Sequence, residues 1–124
     1  MSATDHALSL VRAAARASSD KLADEIIAFD VSEQLVITDA FLLCSAPSDR
    51  QVRSIVDEIE DRLRDLDAKP LRREGERDGR WVLLDYGDVV VHVMHHEERA
   101  YYALERLWRD CPQIELPAEV TSTR

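Results

Sequence analysis

The sequence predicts an α/β fold in which a single mixed β-sheet of about five strands is covered by helices. Three observations carry that expectation. Segments with a helical hydrophobic period alternate with short runs rich in Val, Ile, Leu and Phe, in the order helix, two strands, helix, three strands, helix. The middle helical segment opens on a Ser-x-x-Gln capping box, Ser48 to Gln51. No internal repeat, low-complexity tract or linker divides the 124 residues, so 1–116 read as one domain and 117–124 as a flexible tail.

The first helix is expected over residues 5–18, with Thr4 as N-cap and Ala7, Leu8, Val11, Ala14 and Ala15 on one stripe of small residues. Leu22 to Val31 reads as a buried strand because Ile26, Ile27, Ala28 and Phe29 form a continuous apolar run between acidic ends. A second strand follows at Phe41 to Ser45. The clearest helix spans Asp49 to Asp67. Its core stripe is Val52, Ile55, Val56, Ile59, Leu63 and Leu66, while Arg53, Asp57, Glu60, Asp61 and Arg64 take the solvent side. Pro47 sets an extended entry and Pro70 closes the unit.

An edge strand near Leu71 to Arg73 leads into a turn region at Gly75 to Gly79. Arg80 to Asp85 and Asp88 to Met94 then form an antiparallel hairpin about a tight Tyr86-Gly87 turn, glycine supplying a positive φ. The last helix is expected over His96 to Asp110, ending before Pro112, with Ala100, Ala103, Leu104, Leu107 and Cys111 on its core stripe.

The charge balance narrows the partners. With 25 acidic and 16 basic side chains the net charge is −9, a field that repels phosphate, so broad direct nucleic-acid binding is disfavoured and a basic protein surface is the natural counterpart. No run approaches the ~20 apolar residues of a membrane span, and Asp5, His6, Arg12 and Arg16 interrupt any signal-like start. A cytoplasmic location is expected. Cys44 and Cys111 lack a Cys-x-x-Cys partner and read as inert thiols.

The His92, His95, His96, Glu97 group has metal-binding residue types but poor spacing, since His92 precedes the end of a strand and the chain turns before His95. Ala100 stands where a His-Glu-x-x-His motif needs its second histidine. Asp85 and Asp88 bracket the hairpin and read first as turn residues. A metal-dependent nucleotidyltransferase using them is the enzymatic alternative, and it lacks a Gly-Ser loop and an Asp-x-Asp pair. No catalytic residue, metal or cofactor is therefore expected.

Aromatic placement is lopsided, because Trp81, Tyr86, Tyr101, Tyr102 and Trp108 all fall in the last hairpin and helix. On the first strand of that hairpin Trp81 and Leu83 share one face and Val82 and Leu84 the other. A half-exposed hairpin would thus display an aromatic patch rimmed by Asp85, Arg99 and Glu105, the composition of a partner surface.

The run Trp81-Val-Leu-Leu-Asp85-Tyr-Gly-Asp88-Val-Val-Val-His92-Val, followed by Arg99, Tyr102, Leu104-Glu105 and Leu107-Trp108, resembles the Iojap-like family of ribosomal silencing factors. Upstream, Lys21-Leu-Ala-Asp24, Asp30-Val-Ser32, Thr38-Asp39-Ala-Phe41 and Ser48-Asp-Arg-Gln51-Val52 match as well, so the resemblance covers about residues 6 to 116. Departures stand at Ala46-Pro47, where relatives often carry Gly-Asn, and at His96, where an acidic residue is frequent.

The resemblance implies a nucleotidyltransferase-like fold without nucleotide chemistry. It also implies docking on the fourteenth protein of the large ribosomal subunit, which blocks joining of the small subunit and represses translation under nutrient or energy limitation. Homodimers are implied for the free protein, and large-subunit assembly through the same contact is the alternative role. On this reading Trp81, Leu83, His92, Met94 and Tyr102 supply the apolar contact, Asp85 and Glu105 favour a basic counterpart, and Arg99 orients an acidic neighbour.

Overall fold

The computed structural model describes residues 2–120. Helix α1 (Asp5–Asp20) starts where the Thr4 hydroxyl accepts from the Ala7 N–H. Strands β1 (Asp24–Asp30) and β2 (Ala40–Ala46) precede α2 (Asp49–Arg64). Strands β3 (Arg72–Glu74), β4 (Trp81–Asp85) and β5 (Val89–His95) lead to two short helices, α3 (His96–Tyr102) and α4 (Leu104–Trp108). The five strands form one mixed sheet in the order β1-β2-β5-β4-β3, with only β2 and β5 parallel.

Burial follows position in that order. Central β2 is buried at all seven residues and draws on both sheet faces. Helices α1 and α2 close one face over Leu42, Cys44, Val82, Leu84, Val91 and Val93. The alanine stripe of α1 lets it lie close to the sheet, and the α2 stripe from Val52 to Leu63 is buried as its period requires. On the other face Phe29, Val31, Phe41 and Leu43 pack with Leu104, Trp108 and Cys111. Cys44 and Cys111 are both free and buried, on opposite faces of the sheet.

Several sequence expectations are corrected. Strand β1 is an edge strand, with only Ala28 and Phe29 buried, and Leu22 lies in the preceding turn at φ +63°. The Ser48 hydroxyl accepts from Gln51 N–H at 3.1 Å as a capping box demands, but the Gln51 amide donates to the carbonyls of Lys21 and Leu22, tying α2 to the end of α1. Helix α2 stops at Arg64, because the chain reverses through Asp67 at φ +61° and leaves Leu66 partly exposed. The hairpin loop is Gly87-Asp88, one residue later than expected: Tyr86 N–H bonds the Val89 carbonyl and Gly87 takes φ +86°.

The expected last helix is two. Ala103 adopts φ 48° and ψ 52°, a left-handed conformation that ends α3 and redirects the chain into α4. The expected core stripe breaks with it, so Ala100 and Leu107 are exposed while Leu104, Trp108 and Cys111 pack on the sheet. At the C-terminal end residues 117–120 lie against α1, where Arg16 pairs with Glu119 and Val120 is buried. The rest of the expected loose tail, 121–124, lies outside the described residues.

Candidate partner surface

Strands β4 and β5 build the candidate surface by strand alternation. Trp81 pairs across the ladder with Met94, Leu83 with His92 and Asp85 with Val90, so these six side chains share the face opposite α1 and α2. On the β1–β2 side of that face α4 supplies cover, through Leu104 and Trp108. Over β4 the cover is thin: Trp81, Leu83, Asp85 and Val90 all remain half-buried.

The rings on this face form a chain of contacts. Tyr101 meets Tyr102 edge to face at 5.0 Å, Tyr102 lies 4.8 Å from Trp81, Phe41 sits edge-on to His92 at 5.3 Å, and Trp108 edge-on to Phe41 at 5.0 Å. The Trp81 indole N–H donates to His92 Nδ1 at 3.1 Å, which places the ring proton of neutral His92 on Nε2. That second nitrogen is buried with no partner among the described residues. Burial pushes the His92 pKa down to about 4, so the ring is neutral at physiological pH.

Not every residue expected at the contact reaches it. Met94 is fully buried and His92 nearly so; they support the patch from below, and the outer layer is Trp81, Leu83 and Tyr102. Tyr101, 81% exposed and edge to face with Tyr102, extends it, and Leu107, expected in the core, is 70% exposed. Phe41, which holds His92 and Trp108 together, carried no local signal beyond its strand.

Arg99 is buried, and its Nε donates to Glu105 Oε2 at 3.0 Å while Nη1 donates to Ser45 Oγ at 3.3 Å. Residues six apart on one continuous helix point to different sides. The turn at Ala103 is what brings Arg99 and Glu105 together. Beside them an open cleft of about 690 Å³ is lined by Asp24, Glu25, His96, Arg99, Glu105 and Arg106.

The histidine-rich segment is engaged in structure. His95 Nδ1 accepts from Glu97 N–H at the start of α3, and His96 Nε2 lies 2.8 Å from Asp24. His95, Glu97 and Glu98 bring ligand atoms within 4.8 Å of one another, a grouping that includes a residue the sequence reading did not consider. The Arg80 guanidinium already bonds both carboxylates at 2.7 Å, so a cation there would have to displace it. Asp85 Oδ1 accepts from Gly87 N–H at 2.8 Å, the turn role that its position suggests.

This face, with its signature residues in one sheet, can be set against known proteins. The family model described as "Ribosomal silencing factor during starvation" matches residues 4–124. The chain belongs to the ribosomal silencing factor family. The ribosomal silencing factor of Bacillus subtilis is 44% identical over 108 residues, covering 87% of this chain and 92% of that protein. The chloroplastic Iojap protein of Zea mays is 34% identical, covering 89% of this chain and 48% of its own length. A crystal structure from Bacillus halodurans superimposes with a TM-score of 0.76 at 41% identity, covering 87% of this chain and 98% of that one. The open mixed sheet is thus the silencing-factor fold, and the family's role is regulation of translation. No helix among the described residues is long and apolar enough to cross a membrane.

Proposed function

We propose that this silencing factor docks on the large ribosomal subunit through its fourteenth protein, sterically blocks joining of the small subunit, and so represses translation when nutrients or energy fall. The observation that carries this reading is the Trp81–Tyr102 pair, two rings in tilted contact at 4.8 Å with Tyr102 49% exposed, on a sheet face where Trp81, Leu83 and Asp85 of β4 stay half-buried. Large amphipathic rings displayed this way are the usual anchors of a protein contact. Leu83 continues the apolar strip, and Asp85 and Glu105 border it. On a chain of net charge −9 that rim favours a basic partner. His92, Met94 and Arg99 hold the anchors in place. The protein acts in the cytoplasm, by occupying a surface.

The free protein pairs with a second copy through the same patch, because an exposed aromatic strip on a soluble chain invites self-association. Dimerisation and docking then compete. A dimer that stays intact while bound to the ribosomal protein through this patch would remove that competition.

The test is co-sedimentation of wild-type and Trp81→Ala protein with purified large subunits, with unfolding curves to verify the variant's fold. An anchor truncation of ~2 kcal/mol corresponds to about 30-fold weaker binding. Wild-type affinity in a folded Trp81→Ala protein overturns the assignment. Absence of any effect of saturating wild-type protein on subunit joining overturns the silencing mechanism itself.

A further inference from the structure

The segment between β1 and β2 turns its tip outward. Val36 and Ile37 are 102% and 84% exposed, the two most exposed large hydrophobic side chains among the described residues. Single apolar residues at a surface are ordinary, but two adjacent β-branched ones on a fixed backbone form a patch.

Hydrogen bonds fix that backbone on both sides of the tip. The Gln34 and Leu35 N–H groups donate to the Val31 carbonyl at 2.9 and 2.8 Å, and Leu35 packs inward on the cluster of Phe29, Phe41 and Leu43. Asp30 holds the entry by accepting from Ser32 N–H at 3.0 Å and from Ala3 N–H at 2.8 Å. At the exit the Asp39 carbonyl accepts from Val31 N–H and the Asp39 N–H donates to the Asp88 carbonyl, each at 2.9 Å, which fastens the foot of the loop to the β4–β5 hairpin turn. Binding through such a tip orders little chain.

Two relations say what covers it. The first is continuity. Leu35 and Val90 pack against one cluster, and Val90 stands opposite Asp85 on the face that carries Trp81 and Leu83, so the loop meets the candidate surface at the end opposite Tyr102. The second is charge. Residues 30–39 and 81–91 contain no lysine or arginine but hold Asp30, Glu33, Asp39, Asp85 and Asp88. From outside them Arg72 comes within 3.6 Å of Asp85. An apolar tip set among carboxylates repels a second copy of itself and suits a basic surface.

We propose that Val36 and Ile37 seat in an aliphatic recess of a basic protein surface, as a second anchor at the other end of the contact begun by Trp81 and Tyr102. This rests on the docking reading, in which that surface belongs to the large subunit, and adds to it a contact outside the sheet.

The experiment is co-sedimentation of the full chain with purified large subunits, comparing wild type, a double variant carrying Val36→Ser and Ile37→Ser, Asp88→Lys and Trp81→Ala. Neither tip side chain lies in the core, so the double variant keeps the wild-type unfolding midpoint while binding about ten-fold more weakly. Asp88→Lys weakens binding as well, by less at high salt. Wild-type affinity in the double variant together with weak binding of Trp81→Ala overturns the loop contact and leaves the docking reading standing. Weak binding of the double variant with wild-type affinity in Trp81→Ala keeps the loop contact and overturns the Trp81 anchor. Wild-type affinity in all three variants overturns both. Loss of self-association in the double variant without loss of subunit binding assigns the tip to a second copy and overturns the inference, and undiminished binding of Asp88→Lys overturns the basic partner.

Discussion

The Trp81 indole N–H donates to His92 Nδ1 at 3.1 Å, so the tryptophan of the candidate surface is oriented by a histidine buried in the strand beside it. Because Nδ1 is already an acceptor and the ring is desolvated, protonating His92 means both losing that bond and charging a buried group. The sign of the pH effect follows. His92 has a folded pKa of about 4 against 6.5 unfolded, so the unfolded state binds the extra proton first. Stability is therefore full above pH 6.5 and declines as pH falls toward 4, by on the order of 3 kcal/mol from this residue. Urea unfolding of wild type and His92→Gln between pH 7 and pH 4 checks it: the difference between the two should shrink with acidification. A difference constant over that range would contradict the buried neutral ring.

Gly75 connects the turn to the aromatic strand. At φ +83° an added Cβ would lie 1.9 Å from the Trp81 carbonyl oxygen, backbone against backbone, with no side chain available to yield. Gly75→Ala should destabilise by about 3 kcal/mol or more, through left-handed strain and forced movement of β4. Gly87→Ala meets only the Leu71 Cδ1 at 3.3 Å and carries the φ penalty alone, about 1 kcal/mol. Chemical denaturation of the two variants should rank them in that order.

At Ala103 the opposite substitution helps. Its φ of 48° and ψ of 52° are a conformation that glycine adopts without Cβ strain, so Ala103→Gly should stabilise by about 0.5–1 kcal/mol, and Ala103→Val should destabilise. Thermal unfolding midpoints moving in opposite directions would verify the left-handed turn.

Arg99 gives the fourth test. Its side chain is 7% exposed, and it relies on Glu105, so Glu105→Ala leaves a buried guanidinium short of its nearest counter-charge. A loss of about 2–3 kcal/mol is expected, below the full range for a completely buried pair because Glu105 is itself 34% exposed. Glu25 is 3.7 Å from the same nitrogen but 74% exposed, and Glu25→Ala should cost under ~0.5 kcal/mol. Equal effects of the two substitutions would reverse the assignment of Arg99's partner.

What could be read in advance was whatever repeats along the chain. The α2 stripe, the alternation of Trp81 and Leu83 against Val82 and Leu84, and the Thr4 and Ser48 caps are each specified by neighbours within a few residues. Depth within the sheet is a different kind of property. Leu22 to Val31 read as a buried strand because its apolar run is continuous, yet β1 lies at the edge; Met94 read as part of a contact surface, yet it sits beneath Trp81 and is fully buried. The Gln51 amide satisfied a local motif on paper and bonded the distant carbonyls of Lys21 and Leu22 instead.

The sequence by itself determined the fold class, the order of elements, the acidic character of the surface and the crowding of aromatic residues toward the C-terminal end. These follow from composition and short-range periodicity, which act within a turn of helix or a strand. Only the tertiary structure decided which aromatics face outward and how Arg99 meets Glu105. The second depends on one left-handed residue, Ala103, whose conformation no local preference of alanine favours; long-range packing of Leu104 and Trp108 with Phe41 accompanies that turn.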